Sequence, residues 1–174
     1  MLGAVPKGTD QVWYDLSISG CNELNKRFKV YANIYYFSYA GNMTYKSDIT
    51  VSYLTNPTMF AMFMPFSAKI GAYTNPNEFV LDSSGTTVIN GLSYSSVTAA
   101  WKPNDGMVNT ISARYPMNQA HKPYNSSNIE PGVWQVMPDQ IMDHLQFCGG
   151  LLNSMPITIR IFYLELMSNI DATY

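Results

Sequence analysis

The chain has 174 residues, 47% hydrophobic, 14% aromatic and only 13% charged, with a formal net charge of −2. Its length suits one ordinary domain of roughly 100 to 200 residues with its own core, and so apolar a composition excludes a disordered tail. Near-neutral charge leaves no surplus to grip a phosphate backbone, and the longest apolar run, Met59 to Phe66, falls far short of the roughly 20 residues of a membrane-spanning helix.

In chain order, the opening MLGAVPKGTD lacks the charged region, apolar stretch and cleavage site of a secretory signal, so no export signal is expected there. Residues Ser19 to Lys29 predict a short amphipathic helix, with Ser19 at its N-cap and Leu24 and Phe28 four apart on one packed face. Asn33 to Ala40 (NIYYFSYA) predicts a strand apolar on both faces and therefore buried, closed by Gly41-Asn42. From Tyr45 to Lys102 turn signals at Asn56-Pro57, Asn75-Pro76 and Ser83-Ser84-Gly85 break any period, and a long irregular excursion is expected. Within it the Met and Phe cluster at 59 to 66 reads as core filling rather than a lipid-contacting surface. Gly132 to Val136 predicts a second strand, and Pro156 opens a final helix packed through Ile157, Ile161 and Leu164. Helices and buried strands in this order indicate an α/β class, with no repeat or linker to divide it.

Acid–base chemistry near neutral pH has two histidines to choose from, His121 and His144. His121 lies in the polar stretch NQAHKP and reads as a solvated loop residue. His144 lies between the strand at 132–136 and Gly149-Gly150, in a strand-to-helix loop of the kind where α/β enzymes place reactive groups. Asp105, in Asn104-Asp105-Gly106, is first of all a turn residue; a carboxylate held by such a turn also suits the Nδ1 hydrogen of a histidine. No Gly-x-Ser-x-Gly occurs, and the near miss around Ser93 lacks the second glycine. Cys148 reads as a buried structural thiol, and whether it pairs with Cys21 stays open, as does glycosylation at the Asn42 and Asn125 sequons. Metal-protease, nucleotide-loop and calcium-loop signatures are missing.

Six stretches occur in a telling order: Thr9-Asp10, Tyr14-Asp15-Leu16-Ser17, Asn33 to Tyr39, Asn104 to Ser112 (NDGMVNTIS), Gly132-Val133-Trp134 and Asp143-His144-Leu145. From about Thr9 to Tyr163 the chain resembles the C-terminal half of secreted bacterial triacylglycerol lipases of the thermophilic bacillus and staphylococcal type. The resemblance implies that residues 1–174 are the C-terminal part of one α/β-hydrolase domain, a partial, mostly parallel sheet with flanking helices and a long irregular insertion. The family triad runs Ser, Asp, His, and by motif position Asp105 matches its acid and His144 its base. The family serine, its oxyanion hole and most of its lid belong to an N-terminal half outside the matched stretch.

The same resemblance implies a serine hydrolase of lipid degradation acting on lipid esters beside that N-terminal half and secreted to the extracellular space; nucleic acid is not an expected partner, on the net charge of −2. The 174 residues alone are expected to be inactive. Asp10 matches a zinc-binding aspartate whose partner histidines lie in the other half, so zinc is expected only with that half present. Gln146 and Leu151 stand where the family places calcium-binding carboxylates, and calcium is not expected. The alternative is a non-catalytic remnant that binds lipid or protein through Tyr- and Met-rich surfaces.

Overall fold

A computed structural model describes residues 18–50, 52–72, 99–116, 119–149, 157–171 and 173. The first described helix, α1 (Ile18–Arg27), already includes Ile18, so Ser19 is inside the helix and not its N-cap. Lys26 and Arg27 occupy its last turn, where cations oppose the helix dipole, and Arg27 pairs with Glu23 one turn back. Phe28 lies just past the helix end and is exposed, so the packed face expected through it is not formed.

Three parallel strands make the sheet that carries the rest: β1 (Tyr36–Ser38), β4 (His121–Pro123) and β5 (Trp134–Val136), in the order β1-β5-β4. The predicted buried strand at 33–40 thus shrinks to three regular residues, with Ile34 and Tyr35 exposed. Tyrosine and asparagine carry polar ends that seek partners at the rim of a sheet, as when the Tyr31 N–H donates to the Tyr36 hydroxyl at 3.0 Å. Pairing nevertheless continues past the strand ends: Gly132 N–H donates to the Ile34 carbonyl, Gln140 N–H to that of Ala40, and Asn42 N–H to that of Gln140, each at 2.8 Å. Residues 34–42 and 132–140 therefore run side by side and deliver two chain segments to the carboxyl end of the sheet.

The described part of the 45–102 excursion is more regular than expected. It contains an antiparallel hairpin, β2 (Thr44–Lys46) with β3 (Tyr53–Thr55), a 3-10 turn at Ala61–Phe63, and α2 (Met64–Gly71) with Pro65 at its start. Of the Met and Phe cluster only Met59 is buried; Met62, in the 3-10 turn, is 65% exposed and Phe66, on α2, 54%, because α2 turns Ser67 and Gly71 inward instead. The core-filling expectation for the cluster fails at those positions.

Two short helices follow the site loops, α3 (Thr110–Arg114) and α4 (His144–Phe147), and the described chain closes on α5 (Ile157–Asp171). On α5 the buried residues are Ile159 and Phe162, whereas Ile157, Ile161 and Leu164 are exposed. The face chosen from spacing is the outward one: α5 is apolar on two sides, so helical period alone does not decide between them. Phe162 meets Tyr39, Phe147 and Tyr163 edge-on with ring centroids 5.1 to 5.3 Å apart, and Met142 and Ile159 complete the cluster. Burying one such aromatic side chain contributes about 2 to 3 kcal/mol. Burial also pushes the Tyr39 phenol above its ordinary pKa, and its oxygen accepts from the Asn169 amide at 3.1 Å.

Candidate active site

The acid loop is built by its own backbone. Asp105 Oδ1 accepts the N–H groups of Met107 (2.9 Å) and Val108 (2.7 Å), an Asx turn in which Gly106 takes φ +99°. Asn104 is wholly buried and ties this turn to its surroundings. Its amide nitrogen donates to the Lys102 carbonyl (2.9 Å) and to the Ser67 carbonyl of α2 (3.2 Å), and its oxygen accepts the Gly106 N–H (2.9 Å). Thr110 closes the far side, its hydroxyl donating to the Gly41 carbonyl at 2.7 Å.

The base sits on the first residue of α4. Asp143 caps that helix: its Oδ1 accepts the Gln146 N–H (3.0 Å) while Gln146 Oε1 accepts the Asp143 N–H (2.8 Å). The His144 N–H donates to the Asp105 carbonyl at 3.0 Å, so the two loops are joined through the backbone. Their side chains meet as well, with His144 Nδ1 2.9 Å from Asp105 Oδ2.

An ionised carboxylate only accepts, so Nδ1 is the donor in this contact, and in the neutral ring the lone pair is then on Nε2. The Asp105 side chain is 6% exposed and that of His144 45%, so the ring's exposure lies away from the acid. Phe63 stands edge-on to the imidazole, with centroids 6.5 Å apart. Such a unit can take a proton at Nε2 and hold the resulting imidazolium against a buried anion.

The second histidine lies elsewhere. His121 is on β4, not in the loop expected of it. Its exposed ring stacks on Tyr115 at 3.6 Å, and its Nδ1 lies 2.9 Å from the Gln119 carbonyl instead of against a carboxylate. Cys148 is exposed at the C-terminal cap of α4, contrary to the buried thiol expected, because the chain turns outward there; it forms no disulfide with Cys21. The Asn42 oxygen is engaged by the Thr44 N–H and hydroxyl, while the exposed Asn125 accepts from the Ser127 N–H. Asp10, Ser93 and Leu151 lie outside the described residues. Gln146 spends its side chain on the α4 cap, and among the described residues no three His, Cys, Asp or Glu side chains cluster to hold a metal. No described helix is long and apolar enough to cross a membrane.

Sequence reasoning gave no role to Asn104, Asp143 or Phe63. Asp143 was within reach, since Asp143-His144-Leu145-Gln146, an Asp-x-x-Gln spacing, is a capping-box signature. The other two depend on contacts across 37 and 81 positions, which spacing does not reveal.

Comparison with known proteins adds independent information. Residues 3–160 match the family described as "Lipase-like, C-terminal domain". Lipase 1 of Staphylococcus aureus is 29% identical over 144 residues, which are 82% of this chain and 18% of that one. Among solved structures, the lipase of Staphylococcus hyicus superposes with a TM-score of 0.74 at 23% identity, over 94% of this chain and 38% of that one. EstA of Clostridium botulinum gives 0.71 at 27% identity, over 94% and 35%. The likenesses fix the fold as part of an α/β-hydrolase, and the chain spans less than a fifth of the staphylococcal relative's length.

Proposed function

The chain belongs to the family of lipase-like C-terminal domains, and from that premise we propose that it is the segment of a carboxylic ester hydrolase that supplies the acid and base of a Ser-Asp-His triad. The observation that carries the reading is the 2.9 Å contact between His144 Nδ1 and Asp105 Oδ2, with the acid buried and the base half open. His144 Nε2 takes the proton of an attacking serine hydroxyl, Asp105 holds the tautomer and stabilises the imidazolium, and the same nitrogen then protonates the leaving alcohol. A water repeats the cycle to release the carboxylic acid. The serine and oxyanion donors come from outside these 174 residues, and the substrates are lipid esters met outside the cell.

The partner in this reading is the remainder of the hydrolase fold. Two features of the chain support it: among the described strands the sheet has an unpaired edge at β1 and another at β4, and α5 turns Ile157, Ile161 and Leu164 outward. An apolar stripe and an open parallel edge are surfaces that a further strand and helix cover. A second reading, a non-catalytic module that binds lipid, draws on the exposed Met62 and Phe66 of the 59–66 cluster.

The deciding experiment joins the chain to a segment bearing Gly-x-Ser-x-Gly and follows hydrolysis of a short-chain p-nitrophenyl ester and of tributyrin. His144→Ala is expected to lower turnover by ~10³-fold or more, while His121→Ala stays near the parent. The chain alone is expected to hydrolyse no faster than a denatured control. Equal activity of the two histidine variants overturns the assignment.

A further inference from the structure

Asp143 does more than cap a four-residue helix. It is 2% exposed, and its two carboxylate oxygens serve different parts of the chain: Oδ1 accepts the Gln146 N–H, while Oδ2 accepts the Phe60 N–H at 2.8 Å, across 83 positions. Phe60 precedes the 3-10 turn that presents Phe63, and the Phe60 and Phe63 rings meet edge-on at 5.6 Å. Phe63 in turn stands edge-on to the His144 ring and closes over the acid turn, where a Cβ on Gly106 would lie 2.7 Å from Phe63 Cβ. Residue 143 thus anchors the segment whose aromatic ring flanks the imidazole of residue 144.

The geometry points to Asp143 and Phe63 as positioning residues for His144, which fix the plane of its imidazole through the 59–63 segment. The inference rests on the acid–base pair proposed above and extends it. A ring joined to Asp105 through Nδ1 alone still swings about that bond, and Nε2 must point at one place to take a proton. A ring edge on one side and a backbone tie on the other remove that freedom. The carboxylate suits the task because both atoms it meets beyond its own residue are N–H donors, so two acceptors are needed. A serine at 143 offers one acceptor for the helix cap and is too short to reach Phe60 as well.

The test uses the 15N-labelled full chain and two variants, Asp143→Ser, which keeps a good N-cap, and Phe63→Leu, which leaves the cap untouched. Proton NMR reads the downfield hydrogen on His144 Nδ1, its exchange with water, and the nuclear Overhauser contact between the His144 and Phe63 rings. Both variants are expected to keep the α4 shifts while Nδ1–H exchange rises about tenfold or more. In Asp143→Ser the ring-to-ring contact is also lost. Once the chain is joined to a nucleophile-bearing segment, both variants are expected to lower kcat by up to about 10²-fold with KM nearly unchanged. Wild-type exchange in both variants overturns the positioning role alone. A wild-type chain without the downfield Nδ1 hydrogen overturns the acid–base pair and this inference with it. Should Asp143→Ser fail to fold, Phe63→Leu decides.

Discussion

Alanine at position 41 would push on the candidate site from behind. Gly41 follows β1 at the carboxyl end of the sheet, and a Cβ there would lie 2.6 Å from the Met142 carbonyl oxygen, 2.7 Å from Phe147 Cε2 and 2.9 Å from Asp105 Cβ. Carbon contacts normally sit at about 3.5 to 4.0 Å, so each neighbour must retreat by roughly an ångström. The Phe147 ring can swing, but the other two are a backbone carbonyl and the Cβ of a residue pinned by its own turn. Overpacking a core costs typically 1 to 3 kcal/mol, and two immovable contacts place Gly41→Ala near the top, at about 3 kcal/mol. Urea unfolding followed by tryptophan fluorescence should show the midpoint lowered by about 1.5 M, for a slope of about 2 kcal/mol/M. Adding Phe147→Ala should restore nothing, since it relieves only the yielding contact. A Gly41→Ala protein within about 0.5 kcal/mol of the parent refutes this packing of the two site loops around position 41.

On α5, Phe162→Ala should cost about 3 to 5 kcal/mol in the same urea assay, while Leu164→Ala changes stability by less than about 0.5 kcal/mol; equal losses would mean that the inner and outer faces are misassigned. Lys122 hydrogen-bonds Glu130 at 2.6 Å and holds its carboxyl below the ordinary range. A depressed carboxylate stabilises above its unfolded pKa and loses that contribution as pH falls through the folded value. Thermal melts of Glu130→Gln should therefore sit slightly below the parent at neutral pH and converge with it in acid; a gap that widens in acid reverses the sign and refutes the pairing. Asn104→Asp replaces a buried donor facing the Ser67 and Lys102 carbonyls with a charged acceptor, for a loss of about 3 kcal/mol or more at neutral pH. Because the buried acid is raised above its unfolded pKa, stability recovers as pH falls through the folded value and the acid becomes a donor again. A variant as stable as the parent at pH 7 would show that the Asn104 amide does not donate inward.

Sequence and structure agree where a signal is local and part where it is not. Asp105 in its Asn-Asp-Gly turn is legible, because an Asx turn and a positive-φ glycine are properties of three neighbouring residues. The α/β class is legible from the order of elements, although the strand at 33–40 is overdrawn, because Tyr satisfies strand propensity and rim polarity alike. The inner face of α5 is not legible, since Ile159 and Phe162 alternate with Ile157, Ile161 and Leu164 around one helix and it is the distant Tyr39, Met142 and Phe147 that select between them. Asn104 is invisible for a stronger reason: an asparagine before Asp-Gly reads as turn chemistry, and its burial against Ser67 exists only once α2 has docked.

The pairing of Asp105 with His144 is fixed twice, and the two ties differ in kind. The backbone bond from the His144 N–H to the Asp105 carbonyl brings the loops together whatever their side chains do, and the sheet delivers both segments to that meeting point. The side-chain bond then forms between groups already in register, so little conformational freedom is left to lose in making it. Burial is divided to match: the acid sits behind Gly41, Asn104 and the Asx turn, out of reach of water, while the base keeps nearly half its side chain open. In the proposed role, protection on the acid side with exposure on the base side leaves Nε2 as the atom that exchanges a proton with whatever hydroxyl is brought to face it.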